Sequence, residues 1–234
     1  MYVAREQTAG RGRRGRTWVA DPGKALAFSL LWTFPVVPNV LTGLSLAVGV
    51  AMIRALANPL LGARVPGMQI GLKWPNDILL RRANGIDAKL GGILIESVLR
   101  QNAHGEREMA VVIGIGLNCL ASGALQTIVG DQPVASLSDA YDSADALTPD
   151  KLLPVLIDSL VDMLTPFADL GFMALRDEWQ VSNLWHNEPV RITENGAILI
   201  EGEMRGVDLD GALCIATPAG IERVITGDVS LRKV

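Results

Sequence analysis

Two apolar runs separated by a short polar connection constrain this chain more than any other feature. Residues 90–99 and 109–118 are dominated by Ile, Leu, Val and Gly, and only residues 100–108 lie between them. So short a connection turns the chain straight back, so the runs are expected to pair as antiparallel strands. Other strand segments join them. Residues 25–34 (ALAFSLLWTF) are nearly continuously apolar, as a buried strand is, and Pro35 and Pro38 stop them. Residues 3–6 read as the end of a strand, and residues 69–74 and 78–81 as strand segments around a Pro-Asn-Asp turn.

Helical signals lie between these strands. Asn39 is placed to cap a helix running to about Ala57. Residues 134–141 read as a short helix. Thr148-Pro149-Asp150 supplies a cap, a proline at the first helical position and an acid in the first turn. After it Leu152, Leu156, Leu160, Met163, Leu164 and Phe167 recur at helical spacing until Gly171, and a further helix is expected over residues 172–181. From Glu188 the pattern changes to short alternating strands punctuated by Asn195-Gly196 and Asp210-Gly211. About five strands in so few residues suggest an SH3-like barrel. The expected class is α+β: residues 1–186 form a mixed sheet backed by helices, and residues 187–234 a small β-domain.

The charge balance limits what the molecule can meet. A net charge of −4 gives no global positive field for nucleic acid or anionic lipid, so any basic site must be local. The longest apolar stretch, residues 40–53, falls short of the roughly 20 residues that span a bilayer and is expected to be a core helix. The start, Met1-Tyr2-Val3-Ala4 before Arg5 and Glu6, has no signal-peptide pattern. Cys119 and Cys214 form no CxxC pair, and with only His104 and His186 no zinc-ligand spacing exists. A soluble cytoplasmic protein, without membrane or DNA partners and without a protein-held metal, is expected.

The local basic site is residues 10–16, GRGRRGR. It formally matches G-x-G-x-x-G, but it runs into Thr17-Trp18 and Asp21-Pro22-Gly23 rather than a long helix, so a dinucleotide fold is rejected. Four arginines in six positions remain. Glycines let main-chain N–H groups approach an anion, and guanidinium groups bind phosphate or carboxylate in pairs. Taken alone, such a run is as readily a solvated loop or a nucleic-acid patch. Lys73-Trp74-Pro75-Asn76-Asp77 puts a cation, an amide and a carboxylate on one turn, with Trp74 either a flat apolar surface or a core residue. Lys89 opens a strand beside Gly91 and Gly92, whose bare backbone permits close approach of a ligand. Gly114-Ile115-Gly116-Leu117-Asn118 ends the next strand in an amide.

The order GRGRRGR-x-W (residues 10–18), KWPND (73–77), AKLGGILIE (88–96), GIGLN (114–118), with G-x-D-x-x-GAL (206–213) and GDVSLR (227–232), resembles the biotin–protein ligases over essentially the whole chain. The resemblance implies a biotin–[acetyl-CoA-carboxylase] ligase that forms biotinyl-5′-AMP from biotin and ATP with Mg²⁺. It then transfers biotin to a lysine of the biotin carboxyl carrier protein of acetyl-CoA carboxylase. It implies that Gln7 meets the biotin ureido ring, and that Gly10, Arg11, Gly12, Arg13, Arg16 and Trp18 belong to a loop closing over biotin and adenylate. Lys89 would reach the biotin carboxylate and the α-phosphate; Lys73, Asn76, Asp77, Gly91, Gly92 and Asn118 would line the pocket. Lys89, Arg13 and Asp77 would act in catalysis, Asp77 by orienting or deprotonating the attacking amine. A Ser-Thr-Asn-type motif expected upstream of Gln7 is not in this sequence, so a form shortened at its N-terminus is expected. So is a monomer or weak homodimer. A lipoate or octanoate ligase relative, a non-catalytic biotin or nucleotide binder, and a nucleic-acid binder built on residues 11–16 are the competing readings.

Overall fold

The computed structural model describes residues 1–36, 41–122, 133–194, 196–225 and 229–234. Pro38, Asn39, Val40, Asn195, Gly227 and Asp228, all used in the sequence reading, lie outside the described residues.

The two apolar runs become β5 (Asp87–Gln101) and β6 (Arg107–Asn118), the central antiparallel pair of a six-stranded sheet. β1 (Tyr2–Ala4), β2 (Ala25–Pro35), β3 (Gln69–Lys73) and β4 (Asp77–Arg81) complete the order β1-β2-β6-β5-β4-β3. All its ladders are antiparallel. Among the described residues, the mixed character expected from the sequence is confined to two single parallel bridges, Leu72 with Asn183 and Lys89 with Val134. Alternation along β6 separates the faces. Val111, Ile113, Ile115 and Leu117 are buried in the core, and Val112, Gly114 and Gly116 point the other way. Helix α1 (Leu44–Leu56) packs on β3 and β5, and α2 (Pro149–Leu170) packs on β2 and α1. The α2 residues that bury are the six picked out by spacing.

Three helical expectations need correction. Helix α1 begins at Leu44, after Gly43 at φ 72°, not directly after Asn39. A side chain at Gly43 would strike Phe172 Cβ at 2.4 Å, so only glycine makes this entry. Residues 134–141 hold only a 3₁₀ turn, Leu137–Asp139, closed by reciprocal bonds of Ser136 and Asp139. The preceding backbone is already engaged: Lys89 N donates to Pro133 O at 2.7 Å, and Ala135 N to Lys89 O at 2.9 Å. The helix expected over residues 172–181 divides into a 3₁₀ turn, Phe172–Leu175, and α3 (Arg176–Ser182).

The final residues form β7 (Pro189–Glu194), β8 (Ala197–Val207), β9 (Leu213–Thr217), β10 (Gly220–Val224) and β11 (Ser230–Lys233) in one antiparallel sheet ordered β10-β9-β8-β7-β11. Val190, Ile192, Met204, Leu213 and Ile215 make its apolar interior. This module is bonded to the larger one at several points. Trp74 Nε1 donates to Gly211 O at 3.1 Å, Arg176 Nε to Val207 O at 2.9 Å, and Lys233 Nζ lies 2.9 Å from Asp87 Oδ2. Of the two readings of Trp74, the core one holds: it is 1% exposed. Among the described residues no helix is long and apolar enough to cross a membrane.

Candidate functional site

The side-chain-poor face of the sheet is the floor of a cleft of about 1150 Å³. Ser29 of β2, Gly114 and Gly116 of β6, and Gly92 and Leu94 of β5 contribute to it. Two glycines spaced by two on one strand clear one face, because successive residues point to opposite sides.

The Gly/Arg loop forms one wall as a hairpin closed by main-chain hydrogen bonds. Gly12 N donates to Arg16 O at 2.7 Å, and Trp18 N to Gly10 O at 2.9 Å. Arg14 (φ 61°) and Gly15 (φ 68°) take left-handed conformations at its tip. Arg14 Nη1 and Arg16 Nη2 each donate to Ser230 Oγ at 2.8 Å, tying the hairpin to β11. Arg11, Gly12, Arg13, Arg16 and Gln7 line the cleft. Gln7 stands three residues beyond the end of β1 rather than on a strand. Gly10 is buried behind the hairpin, where a Cβ would meet Trp18 O at 2.3 Å. Trp18 lies on the floor: a Cβ at Gly116 would be 2.5 Å from its Cε2. Its Nε1 is buried and has no hydrogen-bond partner among the described residues.

The other end of the cleft carries an ionic cluster. Asp77 at the start of β4 accepts from Lys89 Nζ at 2.5 Å through Oδ1 and from Lys73 Nζ at 3.3 Å through Oδ2. Asp77 is 12% exposed, Lys73 4% and Lys89 18%. The antiparallel β3–β4 turn sets Lys73 opposite Asp77, and β5 brings Lys89 alongside. Burial alone would push the Asp77 carboxyl up, but the adjacent Lys89 and Lys73 ammonium groups hold it down to about 2. Burial draws the Lys73 ammonium below its ordinary value, with Asp77 opposing. A carboxylate held so low is a poor proton acceptor near neutrality, so its geometry suits holding two cations rather than taking a proton. Lys89 Nζ also lies 6.0 Å from the Trp18 ring centroid. A Cβ at Gly92 would lie 3.6 Å from Lys89 Cε and Nζ, an ordinary contact, so the lysine stem does not itself require glycine there.

Asn118 and Gly91 do not line the cleft, and Asn76 lines it while its amide is engaged elsewhere. Asn76 is at the cleft wall, but its Nδ2 donates to Ile93 O at 2.8 Å, and its carbonyl accepts from Ile93 N at 3.0 Å, stitching the turn to β5. Asn118 is 2% exposed and turned inward, Nδ2 donating to Ala135 O at 3.0 Å, so it braces the segment that crosses β5. Gly91 is bare because a Cβ would meet Gly116 O of the neighbouring strand at 2.7 Å, not because a ligand approaches it. Trp185 and β11, which also border the cleft, were not singled out. The sequence signal for β11 was the Ser230-Leu231-Arg232 run, read only as part of the small module. Trp185 had no signal beyond being an aromatic residue at the domain boundary.

Residues 1–118 match the Biotin/lipoate A/B protein ligase family, and residues 186–232 match the Biotin protein ligase C terminal domain. The chain is similar to the bifunctional ligase/repressor BirA of Escherichia coli, 33% identical over 98% of this chain and 65% of that protein. It thus spans less than two thirds of that relative's length. It is 32% identical to the biotin–[acetyl-CoA-carboxylase] ligase of Paracoccus denitrificans, covering 97% of this chain and 88% of that one. Its fold matches the biotin protein ligase from Aquifex aeolicus in complex with biotin and ATP, with a TM-score of 0.71, 25% identity, and coverage of 99% of this chain and 88% of that one.

Proposed function

Because the chain belongs to the Biotin/lipoate A/B protein ligase family, we propose that it condenses biotin with MgATP to biotinyl-5′-AMP and then passes the acyl group to a lysine of a biotin carboxyl carrier protein. One observation carries this reading. The Lys89 ammonium, held by Asp77, sits at the end of a glycine-floored apolar strip and in the same cleft as an arginine hairpin. An apolar ring and acyl chain suit the strip along Gly92 and Gly114 beside the Trp18 indole, which itself packs on Gly116. A carboxylate and a triphosphate suit the cations.

In the first step a biotin carboxylate oxygen bonds to the α-phosphorus, the bond from that phosphorus to the bridging oxygen breaks, and pyrophosphate leaves. Two anions must meet, and Lys89 and Arg13 offset the charge that accumulates between them. Mg²⁺ would come with ATP and would supply further neutralisation of the phosphate charge beside Lys89 and Arg13. In the second step a carrier lysine amine attacks the acyl carbon and AMP leaves. Asp77 orients Lys89 in both steps and leaves deprotonation of the amine to another acceptor.

The reading is tested by pyrophosphate release from MgATP: release that depends on biotin, with label appearing on a carrier lysine, is expected. Biotin-independent hydrolysis or no release would count against it. The floor gives a second expectation. Gly116→Ala adds a methyl where the Trp18 ring now lies 2.5 Å away, so the indole must move by about 1 Å to regain contact distance. Calorimetry should find biotin bound at least tenfold more weakly, about 1.4 kcal/mol, with the melting temperature nearly unchanged. Wild-type affinity in this variant would remove the Trp18 face from the binding site.

A further inference from the structure

Trp185 takes no part in the scheme above, yet it touches the cluster on which that scheme depends. It is 5% exposed and sits between α3 and β7, where the chain passes from the large module to the small one. Lys73 Nζ lies 4.8 Å from its ring centroid and Lys233 Nζ 5.5 Å. Its N–H donates to Asp87 Oδ2 at 2.8 Å, and Asp87 is held in turn by Arg81 at 2.7 Å and Lys233 at 2.9 Å. On the other side Lys73 shares Asp77 with Lys89. A continuous path of contacts therefore runs from Asp87 and β11, through the indole and Lys73, to the lysine that the proposed reaction uses.

The physical need for the indole follows from the position of Lys73. An ammonium that is 4% exposed must have compensation. Burial disfavours its charge, Asp77 favours it, and the nearby Arg232 and Lys89 charges disfavour it again. Asp77 is shared with Lys89, so one carboxylate serves two cations. The negative face of an aromatic ring is a second source of compensation, and it counts for more where water is excluded.

We propose that Trp185 is a positioning residue for adenylation: its ring holds the Lys73 ammonium against Asp77 and thereby fixes the carboxylate that aims Lys89. This rests on the reading of Lys89 given above. Loss of the ring leaves Lys73 with the shared Asp77 carboxylate as its compensation. Lys73 then gives up its proton at lower pH, and Asp77 swings toward Lys89 alone. The small module is thus coupled to the chemistry through a side chain that need not touch either substrate.

The experiment is the pH dependence of kcat for biotin-dependent pyrophosphate release in Trp185→Leu and Trp185→Phe. Trp185→Leu removes the ring face. It should lower kcat about tenfold with the biotin KM within about twofold, and should move the alkaline limb of the profile down by at least about half a pH unit. Trp185→Phe keeps a ring face while losing the N–H and should retain the wild-type limb. If Trp185→Leu melts below the assay temperature, Trp185→Met, which fills irregular space with a flexible chain, takes its place with the same expectation. A limb unmoved in the ring-less variant overturns the proposal, and so does an equal fall in kcat for both variants with no change in pH dependence, which would be packing alone. If Lys89→Ala itself keeps the wild-type rate, it is the reading of Lys89 that fails. If Lys89→Ala is inactive while Trp185→Leu behaves as wild type, only the role of Trp185 fails.

Discussion

Lys89→Ala loses biotinyl-5′-AMP formation by a factor of about 10² to 10³ while the protein stays folded, the size typical of removing one fixed donor from a developing oxyanion. The lysine is 18% exposed, borders the cleft and is aimed by a carboxylate 2.5 Å away. Its order is therefore established before substrate arrives, so little reorganisation is left for the transition state. Truncation leaves Asp77 paired with Lys73 and removes no core packing, so the fold should lose about 1 kcal/mol, a shift of roughly 2–4 °C in a chain of this length. Pyrophosphate release beside a thermal melt separates the two effects. An unchanged rate would exclude Lys89 from the reaction, and a collapse in melting temperature would show its role to be structural.

Asp77→Asn should be the most destabilising single change in the cluster, costing about 3–5 kcal/mol, because it leaves two lysines, one of them 4% exposed, facing each other without a counter-charge. Titration adds a signature. The Asp77 carboxyl is lowered from 3.8 to about 2 in the folded chain. A depressed carboxyl contributes stability that is fully present above its unfolded value and is lost as pH falls through its folded value. A difference of roughly 2 units corresponds to about 2–3 kcal/mol, lost between about pH 4 and pH 2. Urea unfolding of wild type and variant at pH 7, 4 and 2 checks both points. The gap between them should be widest at pH 7 and close toward pH 2. A gap that does not change with pH would mean that Asp77 is not held ionised by the lysines. The two variants should also differ in kind: Lys89→Ala removes rate and spares stability, whereas Asp77→Asn removes both.

The sequence by itself determined what short-range physics decides. Two apolar runs around a short polar connection marked the central strand pair, helical spacing marked the six buried residues of α2, and turn residues marked the strands of the final module. The residue types of the proposed site were visible too: the arginines of the hairpin, Lys89 and Asp77 stand out through their order along the chain together, although each alone has a structural use. Tertiary structure decided how those groups spend their bonds. Asn118 was read as lining the pocket and instead braces Ala135, and Asn76 gives its amide to Ile93, because an amide serves a backbone carbonyl as readily as a ligand. Gly91 serves strand packing and Gly116 serves Trp18, a difference set by which face each strand turns to its neighbour. Ser230 bonding two arginines more than 200 residues away, and Trp185 meeting Lys73, follow from how two separate sheets come together. Local periodicity carries no record of such contacts, because the partners share no turn, helix or strand through which a sequence pattern could be expressed.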